Sequence, residues 1–309
     1  MKRKKFNAML ETWEPDNTPE TPEQVEARHD WVLDALNDSE IDPAKEVNKP
    51  RIIFSIREAG AMQFDNRRVF TLGNFSAIIG KAKSKKTYLL SAISASIIGK
   101  KLMWDKFHGG LETDKDLVLY FDTEQGDWDS WNVVRRIAMM AGQSYQDKFK
   151  AFNLRRFSPV ERCKIIEFAL LMHGDEAGFV VIDGIADLAN AINDEDEASR
   201  VVSLLLRWTK DYQCHIATVI HQNKNDNFAT GHLGSAIMKK CEIIISVTKD
   251  PADNYKSIVA CDFTRGLDFK PFSLVINREG MPEIDNVVIE VDNNFKVMSD
   301  EKINDDLPF

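Results

Sequence analysis

Residues 75–91 read FSAIIGKAKSKKTYLLS. Phe75–Ile79 is a short apolar run closed by Gly80. Lys81–Lys85 is small, polar and basic. Lys86-Thr87 then opens an apolar stretch at helical spacing: Leu89, Leu90, Ile93, Ile97 and Ile98. Strand, tight loop, helix is the context that a phosphate-binding loop requires. The pattern G-x-x-x-x-G-K-[ST] is met at Gly80, Lys86 and Thr87, with Lys85 where the second glycine would stand. The loop Lys81, Ala82, Lys83, Ser84 and Lys85, with Lys86, Thr87 and Tyr88 at the helix start, would offer amide donors and partial positive charge to phosphate oxygens. Lys86 would reach the β- and γ-phosphates, and the Thr87 hydroxyl would bind Mg²⁺. Lys85 is expected at negative φ, as a first helical residue adding a second cation near the phosphates.

Around this stretch the chain reads as soluble and globular. It has 309 residues, 43% hydrophobic and 29% charged, enough for one large domain or two small ones. The net charge of −9 gives no global attraction to nucleic acid, so any such contact needs a local patch. Cys163, Cys214, Cys241 and Cys261 form no C-x-x-C pair, which removes zinc-ribbon and thioredoxin readings and fits a reducing compartment. The basic start lacks a following apolar core, and no apolar run is long enough to span a membrane. The expectation is a cytoplasmic protein with no membrane partner.

Residues 1–50 are rich in proline and acids and hold one amphipathic helix candidate, about 22–38. Thr21-Pro22-Glu23-Gln24 is its start signal. From Arg51 the pattern changes. Ile52–Ile56 and Val69–Leu72 read as strands and 101–116 as a polar loop. Leu117–Phe121, Gly178–Ile182 and His215–Ile220 are apolar runs of the kind covered on both faces of a sheet. A strand near 149–154 and helices near 129–142, 159–173 and 196–211 lie between them. The alternation specifies an α/β fold with a largely parallel sheet. Ile243–Thr248, Ser257–Thr264, Phe272–Asn277 and Val287–Val291 read as antiparallel strands at one sheet edge. Residues 51–297 form the expected catalytic domain and 298–309 an acidic tail.

Ligands of open α/β sheets sit at the carboxyl ends of the strands. Asp122-Thr123-Glu124-Gln125, Asp183 and His221-Gln222-Asn223 follow the three buried runs. Asp183 would hold Mg²⁺ and Glu124 would deprotonate the attacking water, with Asp122 as its rival. Gln222, or else His221, would sense the γ-phosphate. A small-molecule kinase shares the loop, but Glu124 and Gln222 suit attack by water better.

A phosphate loop, a Glu after the next strand, an Asp after a later one and a polar sensor after the following strand resemble the RecA-like P-loop ATPase core. The segments FSIREAGAMQFDNRRVFTLGNFSAIIGKAKSKKT and NLRRFSPVER resemble its RepA-type branch, which holds hexameric replicative helicases of plasmids and related ATPases of mobile elements. The resemblance covers about residues 51–280. It implies ATP and Mg²⁺ as cofactors, a homo-oligomeric ring with ATP between subunits, and single-stranded DNA as partner. It also implies a basic finger acting in trans, for which Arg265 occupies the corresponding place, with Phe263 where a second basic residue often stands. Loops after the Asp183 and Gln222 strands face DNA in that family. Here the first is acidic; in the second, Lys224, Lys239 and Lys240 would meet phosphates and Phe228 would stack on bases. The segment Asp305-Asp306-Leu307-Pro308-Phe309 resembles the acidic tip of bacterial single-stranded-DNA-binding proteins, which implies a replication or repair partner. The alternative function is an ATP-dependent scaffold or switch that recruits partners without unwinding.

Overall fold

The computed structural model describes residues 22–58, 66–222 and 229–285, and the chain divides into two compact units, Met1–Arg51 and Ile52–Phe309. In the first, helix α1 (Pro22–Ser39) carries Trp31, Leu33 and Leu36 exposed to solvent.

The second unit is built on a nine-stranded sheet. Its strands are β3 (Phe75–Gly80), β6 (Leu117–Asp122), β7 (Phe149–Asn153), β8 (Ala177–Asp183), β9 (His215–His221), β10 (Ile243–Lys249), β11 (Lys256–Thr264), β12 (Phe272–Ile276) and β13 (Pro282–Asp285). The order is β13-β12-β11-β10-β3-β9-β8-β6-β7. From β10 to β7 every pairing is parallel; β10 to β13 pair antiparallel at one edge. This is the α/β arrangement with a largely parallel sheet that the alternating pattern predicts. The apolar runs of β3, β6 and β8 are buried along their whole length, because helices cover both faces of a parallel sheet.

Those helices are α2 (Lys86–Gly99), α3 (Asp127–Ala141), α4 (Pro159–His173), α5 (Glu195–Tyr212) and α6 (Gly231–Lys240). Helix α4 starts where its sequence dictates: Ser158 and Glu161 form a reciprocal capping box and Pro159 needs no amide partner in the first turn. Asp194 caps α5 by accepting from the Glu197 amide at 2.9 Å.

Segment 101–116 is not wholly a polar loop. Strands β4 (Leu102–Met103) and β5 (Phe107–Gly109) join β1 (Ile52–Arg57) and β2 (Asn66–Thr71) in a small antiparallel sheet, order β2-β1-β5-β4. Phe107 is buried among Phe54, Phe272 and Trp104, which draws the segment onto the core. Gly109 permits the approach, since a Cβ there would meet Ile97 N of α2 at 2.5 Å. Helix α2 is therefore covered by sheet on more than one side, and eleven of its fourteen residues are buried. The expected strand Val287–Val291 lies outside the described residues, and β13 takes the sheet edge immediately before it.

Candidate active site

Strand β3 delivers Gly80 to the centre of the sheet's carboxyl edge. A Cβ there would meet Val247 O at 2.4 Å and Ser84 Oγ at 2.5 Å, so this position has no room for a side chain. The loop then turns back into α2. Lys85 has φ 72° and Lys83 φ 63°, both in the left-handed region. The expectation for Lys85 is thus corrected: it takes the conformation that glycine would, at a cost of about 1–2 kcal/mol for a residue with a Cβ. Its ammonium is directed to Lys256 O (3.4 Å) and Ser257 Oγ (3.3 Å) on β11, an anchor to the antiparallel edge.

Lys86 is buried. Its ammonium donates to Gly80 O at 2.8 Å and Lys81 O at 3.0 Å, and lies 3.2 Å from His221 Nδ1. An ammonium only donates, so Nδ1 is the acceptor and the imidazole proton sits on Nε2. That nitrogen faces Glu124 Oε1 at 3.4 Å. Burial pushes the Lys86 ammonium below the ordinary lysine value, against Asp183 and Glu124, which hold it up. The hydrogen bond from His221 holds the Glu124 carboxyl below its usual range, partly offset by burial.

Asp183 ends β8, directly opposite Asp122 on β6. Its Oδ2 accepts from the Thr87 hydroxyl at 2.9 Å and from the Tyr120 hydroxyl at 2.9 Å. Burial pushes its carboxyl up to about 6, against these two hydrogen bonds. Asp122 is spent otherwise. Its Oδ1 accepts from the amides of Glu124 (3.0 Å) and Gln125 (2.9 Å), and its Oδ2 from the Ser130 hydroxyl, so it ties the strand end to α3. Thr123 does the same across the strands, accepting from Gly184 N at 2.9 Å and donating to Gly184 O at 2.8 Å.

Lys86, Thr87, Glu124, Asp183 and His221 border one cleft of about 770 Å³. Tyr88, Arg136, Met139 and the turn Glu279–Met281 also line it. The Arg136 guanidinium lies 3.8 Å over the Tyr88 ring, giving a flat cationic face suited to a base. Arg136 sits on α3 beyond the strand ends, the place where sequence reasoning looked for site residues. Tyr120 was missed too, although it is the one polar side chain within the run LVLYF.

Gln222 is not among the residues that line the cleft. Its amide donates to Gly80 O at 3.2 Å, and it pairs with Ala229 across a loop base. Thr230 also fastens that base, both its amide and its hydroxyl donating to His221 O at 2.9 Å. Arg265 follows β11 beside the first residue of β10, at the opposite end of the sheet, and donates to Lys240 O at 3.1 Å. Lys239 and Lys240 are exposed at the end of α6; Lys224, Phe228 and Asp305–Phe309 lie outside the described residues.

The donors fit a nucleotide with Mg²⁺. Ser84 Oγ is buried at the loop with no partner among the described residues. Thr87 and Asp183 offer hard oxygen donors already side by side, of the kind that would hold Mg²⁺ together with phosphate oxygens and water. Among the described residues no group of three or more His, Cys, Asp or Glu makes a cage for a metal by itself, and no helix is long and apolar enough to cross a membrane.

No curated protein matches the chain. Among solved structures, the crystal structure of the RadB recombinase is similar at a TM-score of 0.49 and 15% identity, over 69% of this chain and 91% of that one. A family profile described as AAA domain matches residues 67–227, just over half of the chain, from β2 through the phosphate loop, Glu124, Asp183 and His221. The chain belongs to that AAA domain family, as a P-loop ATPase.

Proposed function

We propose that this cleft hydrolyses ATP with Mg²⁺, and that the protein does so as an oligomer acting on DNA. The observation that carries the hydrolytic reading is the convergence of Lys86, the Thr87–Asp183 pair and the Glu124–His221 pair on one cleft. Lys86 would exchange its carbonyl partners for β- and γ-phosphate oxygens. Thr87 and Asp183 would hold Mg²⁺, which neutralises phosphate charge when bound. Glu124, kept ionised and oriented by His221, would take a proton from the attacking water. His221 would meet the γ-phosphate in place of Gln222. Its carbonyl holds Thr230, and Gln222 holds Gly80, so phosphate loss would be felt at the base of the following loop. The flat Tyr88–Arg136 face would take the adenine.

The DNA reading rests on the resemblance to the RepA-type branch, with Lys224, Phe228, Lys239 and Lys240 as contacts and Arg265 reaching a neighbouring subunit. A helicase of a plasmid or mobile element is the fuller form of this proposal, and Asp305–Phe309 would dock on a replication or repair protein. One observation favours the scaffold or switch alternative: Asp194, Glu195 and Asp196 are exposed after β8, a poor surface for a phosphate backbone. The test is ATP turnover with and without single-stranded DNA, together with strand displacement. Stimulation supports the DNA reading. Turnover that ignores DNA, with no displacement, rejects the helicase and leaves the switch.

A further inference from the structure

We infer that Tyr120 positions the Asp183 carboxylate for the cation, as a buried second support behind the proposed Mg²⁺ ligands. The inference rests on the ATPase reading of the cleft. Strands β6 and β8 are parallel, with Tyr120 opposite Val181 and Asp122 opposite Asp183. Tyr120 therefore starts two residues below Asp183, about 6.6 Å along the sheet at about 3.3 Å per residue. Side chains two apart on a strand share a face, and a tyrosine leaning along its strand covers that offset. Its hydroxyl reaches Asp183 Oδ2 at 2.9 Å.

The same oxygen accepts from Thr87 at 2.9 Å. The two donors are not equivalent. Thr87 sits on the first turn of α2 at the cleft, and its lone pairs remain free for a cation while its proton stays on Asp183. Tyr120 is buried among the core residues of β6 and does not line the cleft. Its hydrogen bond is therefore made from the core side and does not depend on what occupies the cleft. It holds the carboxylate's rotamer before the cation arrives and after it binds. Carboxylate ligands are supported in this way in metal sites generally, and loss of such a partner typically costs 10–100-fold in metal affinity.

The alternative is that Tyr120 only fills the core and its hydroxyl has found the nearest acceptor. Tyr120→Phe separates the two, since it keeps the ring and deletes one oxygen. Binding of a fluorescent ATP analogue is titrated with Mg²⁺ in the wild-type chain and the variant, starting from EDTA. We expect equal binding in EDTA and a Mg²⁺ half-saturation about tenfold higher in Tyr120→Phe. Tyr120→Leu, which also lacks the hydroxyl, serves as the second variant should the first not fold, with the same expectation. Superimposable Mg²⁺ curves, with the wild type responding to Mg²⁺, overturn the role of Tyr120 alone. A wild-type chain that binds no nucleotide overturns the ATPase reading and this inference together.

Discussion

Lys86 Nζ lies 3.2 Å from His221 Nδ1, so the phosphate loop and the end of β9 meet inside the cleft. The ammonium's other partners are two carbonyls of its own loop, Gly80 O and Lys81 O. Replacing Lys86 removes the charge that phosphate would use and leaves the fold's apolar packing untouched. Lys86→Ala is expected to abolish nucleotide binding at millimolar ATP while circular dichroism stays unchanged. Retained binding would assign the phosphates elsewhere.

Glu124 and Asp122 divide along their hydrogen bonds. Asp122 is buried and closes the turn into α3 with three donors, so Asp122→Asn should destabilise the protein by about 1–3 kcal/mol, the penalty of unmatched buried groups. Denaturant melts measure this. Glu124→Gln should leave stability near that of the wild type. A stable Asp122→Asn protein with no turnover would reverse the two roles.

Lys85→Gly is expected to stabilise the protein. The left-handed backbone at φ 72° penalises a side chain by about 1–2 kcal/mol, and the extra chain entropy of glycine takes back part of this. A net gain of about 1 kcal/mol should raise Tm by roughly 1–2 °C in a protein of this size. ATP affinity should change little, because the Lys85 ammonium is directed at β11. A lower Tm, or a large gain in affinity, would show that the side chain serves the site itself.

His215 sets a pH dependence of stability. Its Nδ1 faces Thr71 O at 2.8 Å and its Nε2 faces Ser76 Oγ at 2.9 Å, with the ring stacked on Phe70. Burial pushes its pKa down to about 3 from the ordinary 6.5. The folded value is the lower one, so the unfolded chain binds this proton first. The contribution of His215 is complete above about pH 6.5 and is lost as pH falls toward 3, at up to about 1.4 kcal/mol per pH unit. Between pH 7 and 5 the wild type should lose about 2 kcal/mol more than His215→Gln. Parallel stability curves would contradict this assignment.

The buried runs of β6, β8 and β9 were legible because a parallel sheet demands unbroken apolar strands, and the polar residues that follow them marked the carboxyl edge. Asp183 and Thr87 could be named from position, though not their contact. Tyr120 was hidden within such a run, where a phenol reads as one more large side chain. Arg136 was hidden because its meeting with Tyr88 depends on how α3 packs on α2. Lys85 departs from the expected negative φ because it stands at the N-cap where the loop turns into α2, and that geometry overrides the preference of the residue. Strands β4 and β5 were missed because they are too short to show a period, and the burial of Phe107 is what holds β5.

The central claim is that the cleft hydrolyses ATP with Glu124 as base, and phosphate release tests it most directly. With Mg²⁺ and saturating ATP, the wild-type chain should release phosphate catalytically. Glu124→Gln should bind ATP as tightly and turn over about 10²–10⁴-fold more slowly. Equal turnover by Glu124→Gln, or none by the wild type with ATP bound, would contradict the account.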